Sequence, residues 1–134
     1  MSDEYVDVVK RAVAAFNAAD VDAFTALATT DFEWFPSMIP IENETFVGAD
    51  GIRRYFDRLA SAWEHFRVLP DRFLERADCV LVIARLEGRG RTSGATVDAP
   101  LGMAFDLREG LICRVRGYLD HGEALEATGL GVEM

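Results

Sequence analysis

Apolar positions in the first part of the chain recur every three or four residues. Val6, Val9, Val13 and Phe16 form one stripe over residues 3–18, the period of a helix with one buried face. Ser2 or Asp3 can cap its start, and Asn17-Ala18-Ala19-Asp20 breaks it. Asp20 caps a short second helix with Phe24 and Leu27 on one face. Asp31-Phe32-Glu33-Trp34-Phe35 has strand composition and ends at Pro36. Residues 37–47 read as a loop that overhangs a pocket. Gly48-Ala49-Asp50-Gly51 opens a third helix with Asp50 as N-cap. That helix buries Ile52, Phe56, Leu59 and Trp63 and turns Arg53, Arg54, Asp57 and Arg58 to water.

Beyond this helix the period shortens to two. Residues 65–76, 78–91, 95–108 and 111–119 predict four strands, the first interrupted near Pro70. Ala77-Asp78, the stretch from Gly88 to Gly94, and Glu109-Gly110 punctuate them, and Gly110 supplies the positive φ of a tight hairpin. His121 to Thr128 form a closing helix stopped by Gly129. Helices with one strand, followed by a run of strands, predict an α+β fold. The expected form is a curved antiparallel sheet wrapped on three to four helices and enclosing an apolar pocket, in one domain spanning 1–134. Along 79–87 both parities are partly apolar, with Cys79, Leu81 and Ile83 on one and Val80, Val82, Ala84 and Leu86 on the other. One face should meet the helices and the other a second subunit, so a homodimer is expected.

Composition narrows the partners. Half of the 134 residues are hydrophobic, enough for a core. No apolar run is long enough to cross a bilayer, and the acidic start Met1-Ser2-Asp3-Glu4-Tyr5 lacks a signal-peptide pattern. The reading is a cytoplasmic protein with no membrane partner. A net charge of −9 disfavours nucleic acid. Cys79 and Cys113 read as reduced residues within strands. His65 and His121 lack ligand spacing, so neither a metal nor another cofactor is expected. The Arg89-Gly90-Arg91 turn reads as a solvated loop.

The layout resembles the nuclear-transport-factor-2-like superfamily, a cone-shaped α+β fold with a pocket between helices and sheet. The resemblance rests on Ala15-Phe16-Asn17-Ala18-Ala19-Asp20 after the opening helix, on Phe46-Val47-Gly48-Ala49-Asp50-Gly51-Ile52, and on Tyr118-Leu119-Asp120-His121-Gly122-Glu123. The superfamily includes enzymes and non-enzymes, so fold does not fix function. Ketosteroid isomerases need a tyrosine, a carboxylate base and a protonated aspartate. Lined up on their motifs, the three positions are Ala12, Phe35 and Gly102, which disfavours that activity.

The chain is more similar to the limonene-1,2-epoxide hydrolase branch. It has Arg85-Leu86-Glu87 on one strand, Ala99-Pro100 and Phe105 on the next, and Val115-Arg116-Gly117-Tyr118-Leu119-Asp120 at the end. The resemblance implies water attack on an epoxide of a small apolar substrate, with Asp120 as base, Glu87 as acid and Arg85 as the bridge between them. Departures are Glu87 where the family has aspartate, and Trp34-Phe35-Pro36-Ser37 where it has a tyrosine and an asparagine. Trp34, Phe35, Met38, Trp63, Met103, Phe105 and Tyr118 are expected as core or pocket wall. Other roles stay open for the charged groups. Arg85 and Glu87 can form a salt-bridge ladder on one strand face, and Asp120 can be the N-cap of residues 121–128. A bulge would have to turn Asp120 inward for catalysis. The remaining alternatives are a polyketide-cyclase-like enzyme with Asp120 as its only base, and a non-catalytic binder of a small hydrophobic ligand.

Overall fold

The computed structural model describes residues 2–35 and 46–130. The elements run α1 (Ser2–Asn17), α2 (Val21–Ala26), β1 (Ala28–Phe35), β2 (Phe46–Val47), α3 (Gly48–Ala62), β3 (Trp63–Arg76), β4 (Cys79–Gly90), β5 (Thr96–Arg108), β6 (Leu111–Tyr118) and α4 (His121–Thr128). Six strands form one sheet in the order β2-β1-β6-β5-β4-β3. Neighbours are antiparallel except β1 and β6, which pair in parallel. That pairing departs from the expected antiparallel sheet, and so does β2, which forms at the end of the stretch read as a loop; residues 37–45 of that stretch lie outside the described residues. Among the described residues no helix is long and apolar enough to cross a membrane.

The inner face of the sheet carries the core. Val80, Val82, Ala84 and Leu86 of β4 stand opposite Phe105, Met103, Leu101 and Ala99 of β5, and all but the half-buried Ala99 are buried against α1 and α3. Val9, Ala12, Val13 and Phe16 meet them from α1, and Ile52, Phe56 and Leu59 from α3. Asp20 caps α2 by accepting from the Ala23 amide at 3.1 Å. Asp50 does not cap α3: Val47, in extended conformation, holds that position with no side-chain cap bond. The chain turns into the helix at Gly48 (φ 66°), and Asp50 falls in the first turn, where it pairs with Arg53 and Arg54 at 2.7 and 3.1 Å.

The β5–β6 hairpin turns at Glu109 and Gly110, with φ of 53° and 84°. Its register slips at Cys113, because Leu107 faces Ile112 while Asp106 faces Arg114. This bulge lets Ile112 and Val115, three residues apart, both point into the core, and Leu111 stays exposed. On the outer face, α4 covers Leu81, Ile83 and Ala104 through Ala124. A Cβ on Gly102 would lie 2.5 Å from the Ala124 methyl, so α4 docks this closely only on a glycine. The apolar outer parity of β4, attributed above to a second subunit, is therefore occupied in part by the chain's own last helix.

Candidate functional site

Aromatic side chains fill the interior at the β1 end. Trp34, 2 % exposed, lies with its ring centroid 4.3 Å from Tyr55 and 5.0 Å from Phe24. Phe32, Phe46 and Phe56 close the group. At the opposite corner the filling stops. There a cavity of about 330 Å³ lies between the C-terminal ends of α1 and α3 and the start of β3. Phe16, Phe56, Leu59, Trp63 and Phe66 give it an apolar wall, and Asn17, Glu64, His65, Arg67 and Arg91 bring polar groups. Trp63 and Phe66 stand 5.5 Å apart, and Phe66 meets Phe16 edge-on at 5.8 Å. The indole of Trp63 lies over Gly88, where a Cβ would come within 3.1 Å of the ring. A side chain there would push the indole toward the cavity.

Two polar groups frame this corner and are already engaged. The Asn17 carboxamide accepts from the Val68 N–H and donates to the Val68 carbonyl, both at 2.8 Å. Arg91 donates from Nε to the Ala60 carbonyl at 3.1 Å and from Nη2 to the Trp63 carbonyl at 3.3 Å. Its backbone N–H bonds the Ala62 carbonyl at 3.0 Å. Arg91 thus satisfies the open carbonyls at the end of α3 rather than waving in a solvated loop. Glu64 is 3.5 Å from Arg89. A larger hollow of about 520 Å³ lies on the outer face beside Cys79, Asp106, Cys113 and Arg114. Its polar groups are tied up, with Asp106 held by Arg114 at 3.3 Å and Arg116 at 3.4 Å. Burial, helped by the Asp106 charge, pushes the Cys79 thiol up to about 12, so it stays protonated.

The interior offers little acid–base chemistry. Among the described residues no polar or charged residue is buried. The one phenol in the core is Tyr55, 4 % exposed, whose pKa is raised by burial. Among the described residues no group of three or more His, Cys, Asp or Glu could hold a metal.

The catalytic candidates from the sequence lie outside this cavity. Arg85 ion-pairs with Asp98 on the outer face, and Glu87 stands directly opposite Asp98 in the register. Asp120 is the N-cap of α4, accepting from the Gly122 amide at 2.9 Å. None of the three lines the cavity. The bulge that could have turned Asp120 inward occurs at Cys113 instead, and Asp120 stays exposed. Of the expected wall residues, Trp63 lines the cavity. Trp34, Met103 and Phe105 are packed core, and Phe35 is 43 % exposed. Tyr118 is half-buried on the outer face beside Arg116, and Met38 lies outside the described residues. His121 Nε2 is 2.8 Å from the Ala84 carbonyl; since a carbonyl only accepts, that nitrogen carries the proton. Phe16, Asn17, Phe66 and Arg91 were missed. The available signal was Gly88, a glycine on the otherwise apolar inner parity of β4 that leaves room for another side chain to lie across the strand.

Known proteins fit this fold. A family model described as a SnoaL-like domain matches residues 9–115. No curated protein matches the chain. Among solved structures, an NTF2-like protein of unknown function from Burkholderia pseudomallei is 18% identical, with 92% of this chain and 95% of that one covered and a TM-score of 0.78. TerC, co-crystallised with polyporic acid, is 21% identical over 92% of this chain and 96% of its own, with a TM-score of 0.77. A candidate polyketide cyclase from Xanthomonas campestris pv. campestris is 21% identical over 90% and 93%, with a TM-score of 0.77. By the extent of the family match and the shared architecture, the chain belongs to the SnoaL-like domain family of the NTF2-like superfamily.

Proposed function

We propose that the chain binds a small, flat, ring-bearing apolar molecule in the corner cavity between α1, α3 and β3. The observation that carries this reading is the cavity wall itself: Phe16, Phe56, Trp63 and Phe66 gather around one hollow, while at the β1 end the described aromatic residues pack against one another. Aromatic pairs contribute about 0.5–1.5 kcal/mol beyond the area they bury. A volume of about 330 Å³ suits two or three fused rings. The polyporic acid bound to TerC supports a small-molecule ligand. Epoxide opening would need Asp120 and Glu87 to share a water beside Arg85. With Asp120 engaged at α4 and Arg85 at Asp98, binding is the better-supported reading.

A cyclase-type proton abstraction is the second reading, favoured by the SnoaL-like family match and by the Glu64 carboxylate at the cavity mouth. The partner reading also includes a homodimer, tested by sedimentation at micromolar concentration. For the binding site the test is calorimetry with 2-naphthol. Saturable binding to the unmodified protein should disappear in Ala60→Trp, which fills the mouth from an exposed position. Equal binding to both proteins would place the ligand elsewhere. Glu64→Gln should leave naphthol binding intact under either reading, and only the second has it abolish turnover.

A further inference from the structure

The cavity wall includes five consecutive residues of β3, Trp63 to Arg67. Side chains of successive strand residues point to opposite faces of a sheet. A cavity that touches all five therefore meets the strand at its edge, where the backbone itself forms the wall. β3 is an edge strand of the sheet. The question is which of its amides point outward.

The register answers it. Val68 stands opposite Leu86, and its N–H and carbonyl are both taken by Asn17, so both point away from β4. In an antiparallel pair, outward- and inward-pointing residues alternate. Phe66, two residues earlier and opposite Gly88, must then also point its N–H and carbonyl away from β4. An independent contact agrees, because the Gly90 N–H bonds the Ala95 carbonyl toward β5, on the same side as Gly88 and Leu86. Among the described residues no hydrogen bond reaches the Phe66 backbone from that outward side. Phe66 thus presents one donor and one acceptor, side by side, on the wall of an aromatic cavity.

The regular open edge is one residue long, because just upstream the register slips between Trp63 and His65 and takes Glu64 out of the alternation. Downstream, Asn17 occupies Val68, and Pro70 has no N–H to offer. Upstream, the Ala62 and Trp63 carbonyls are bonded to Arg91. Adding a peptide strand needs successive open pairs along an edge, so β3 does not suit a strand partner here. A single pair suits a small molecule. The Asn17 carboxamide, seated on Val68 by two bonds of 2.8 Å, displays the group that fits such a pair.

The geometry points to a ligand with a carboxamide or lactam, whose N–H and carbonyl bond the Phe66 carbonyl and N–H while its ring lies among Phe16, Phe56 and Trp63. This rests on the binding reading above and names the ligand's polar group.

The test compares three probes with one ring system: 2-naphthamide, N,N-dimethyl-2-naphthamide and methyl 2-naphthoate. Only the first offers donor and acceptor together. Calorimetry should show it binding about tenfold tighter than the other two, the scale of an amide pair made rather than left unpaired. In a nitrogen–proton NMR titration it should shift the Phe66 amide downfield further than either of the others, whose carbonyls can accept but which have no N–H for the Phe66 carbonyl. Equal affinities with an unmoved Phe66 amide would overturn the carboxamide assignment and leave the binding reading standing. Failure of 2-naphthol as well would remove both. An extended blocked tripeptide that binds tighter than 2-naphthamide and shifts several β3 amides would overturn the small-molecule assignment in favour of a strand partner.

Discussion

At the β1 end of the interior, Trp34 is enclosed by Phe24, Phe32, Tyr55 and Phe56 at centroid distances of 4.3 to 6.3 Å. At the β3 end, Phe16, Phe56, Trp63 and Phe66 are as aromatic but surround a space of about 330 Å³. The residue types are alike, and what differs is what stands behind them. Trp34 extends from an interior strand toward helices on the far side. Trp63 lies over Gly88 at the sheet's edge, and among the described residues no further strand stands beyond β3. Packing explains the first group fully. The second leaves apolar surface that a ligand can cover.

The sharpest way to break this comparison is to make the filled end hollow. Trp34→Ala should lower the stability by roughly 3–5 kcal/mol, the usual cost of removing a buried large aromatic with incomplete collapse. Urea unfolding monitored by circular dichroism measures it. A loss below about 1 kcal/mol would mean that the filled end is looser than its ring contacts imply.

Asn17 tests how the hollow end is held open. Asn17→Ala leaves the Val68 N–H and carbonyl without partners at a half-covered edge, an expected loss of about 1–3 kcal/mol in the same assay. It should also create a second open pair on β3, so aggregation or strand pairing should rise in the variant. If stability and association state are both unchanged, the carboxamide is not the brace of this corner.

These two residues show how far the sequence could be read. The long strands were legible because period-two runs and turn residues mark them, and β4, β5 and β6 begin and end within about a residue of expectation. The parallel β1–β6 pairing was not, since it joins segments about 80 residues apart with no local signal. The bulge at Cys113 was also hidden. Strict alternation would place Val115 and Leu111 on one face, but the slip buries Ile112 with Val115 instead. The site was legible only at Trp63. A cavity arises where side chains stop filling space, and that depends on neighbours across the sheet rather than on the identity of a residue. Asn17 looked like a helix stop, and its bond to Val68 spans 51 positions.

On the outer face the comparison turns on Asp120. As N-cap of α4 it should cost about 1 kcal/mol when replaced by alanine and little when replaced by asparagine, which also caps. Asp120→Asn should also leave naphthol binding unchanged. If that conservative variant abolished a turnover activity while stability held, Asp120 would be a base rather than a cap.

The smallest effect lies at a surface tie that spans β6, where Arg108 of β5 donates to Asp31 of β1 at 2.5 Å. The hydrogen bond from Arg108, then that from Thr29, lowers the Asp31 pKa below its ordinary 3.8. A carboxyl depressed in the folded state stabilises above its unfolded pKa, and that contribution fades as pH falls through the folded value. Asp31→Asn should therefore melt slightly below the unmodified protein at pH 7, and the gap should narrow progressively as the pH is taken below 3.8. Both side chains are more than half exposed, so 0.5 M salt should shrink the gap at pH 7 as well. A gap that survives both acid and salt would mean that Asp31 acts through packing of β1, not through its charge.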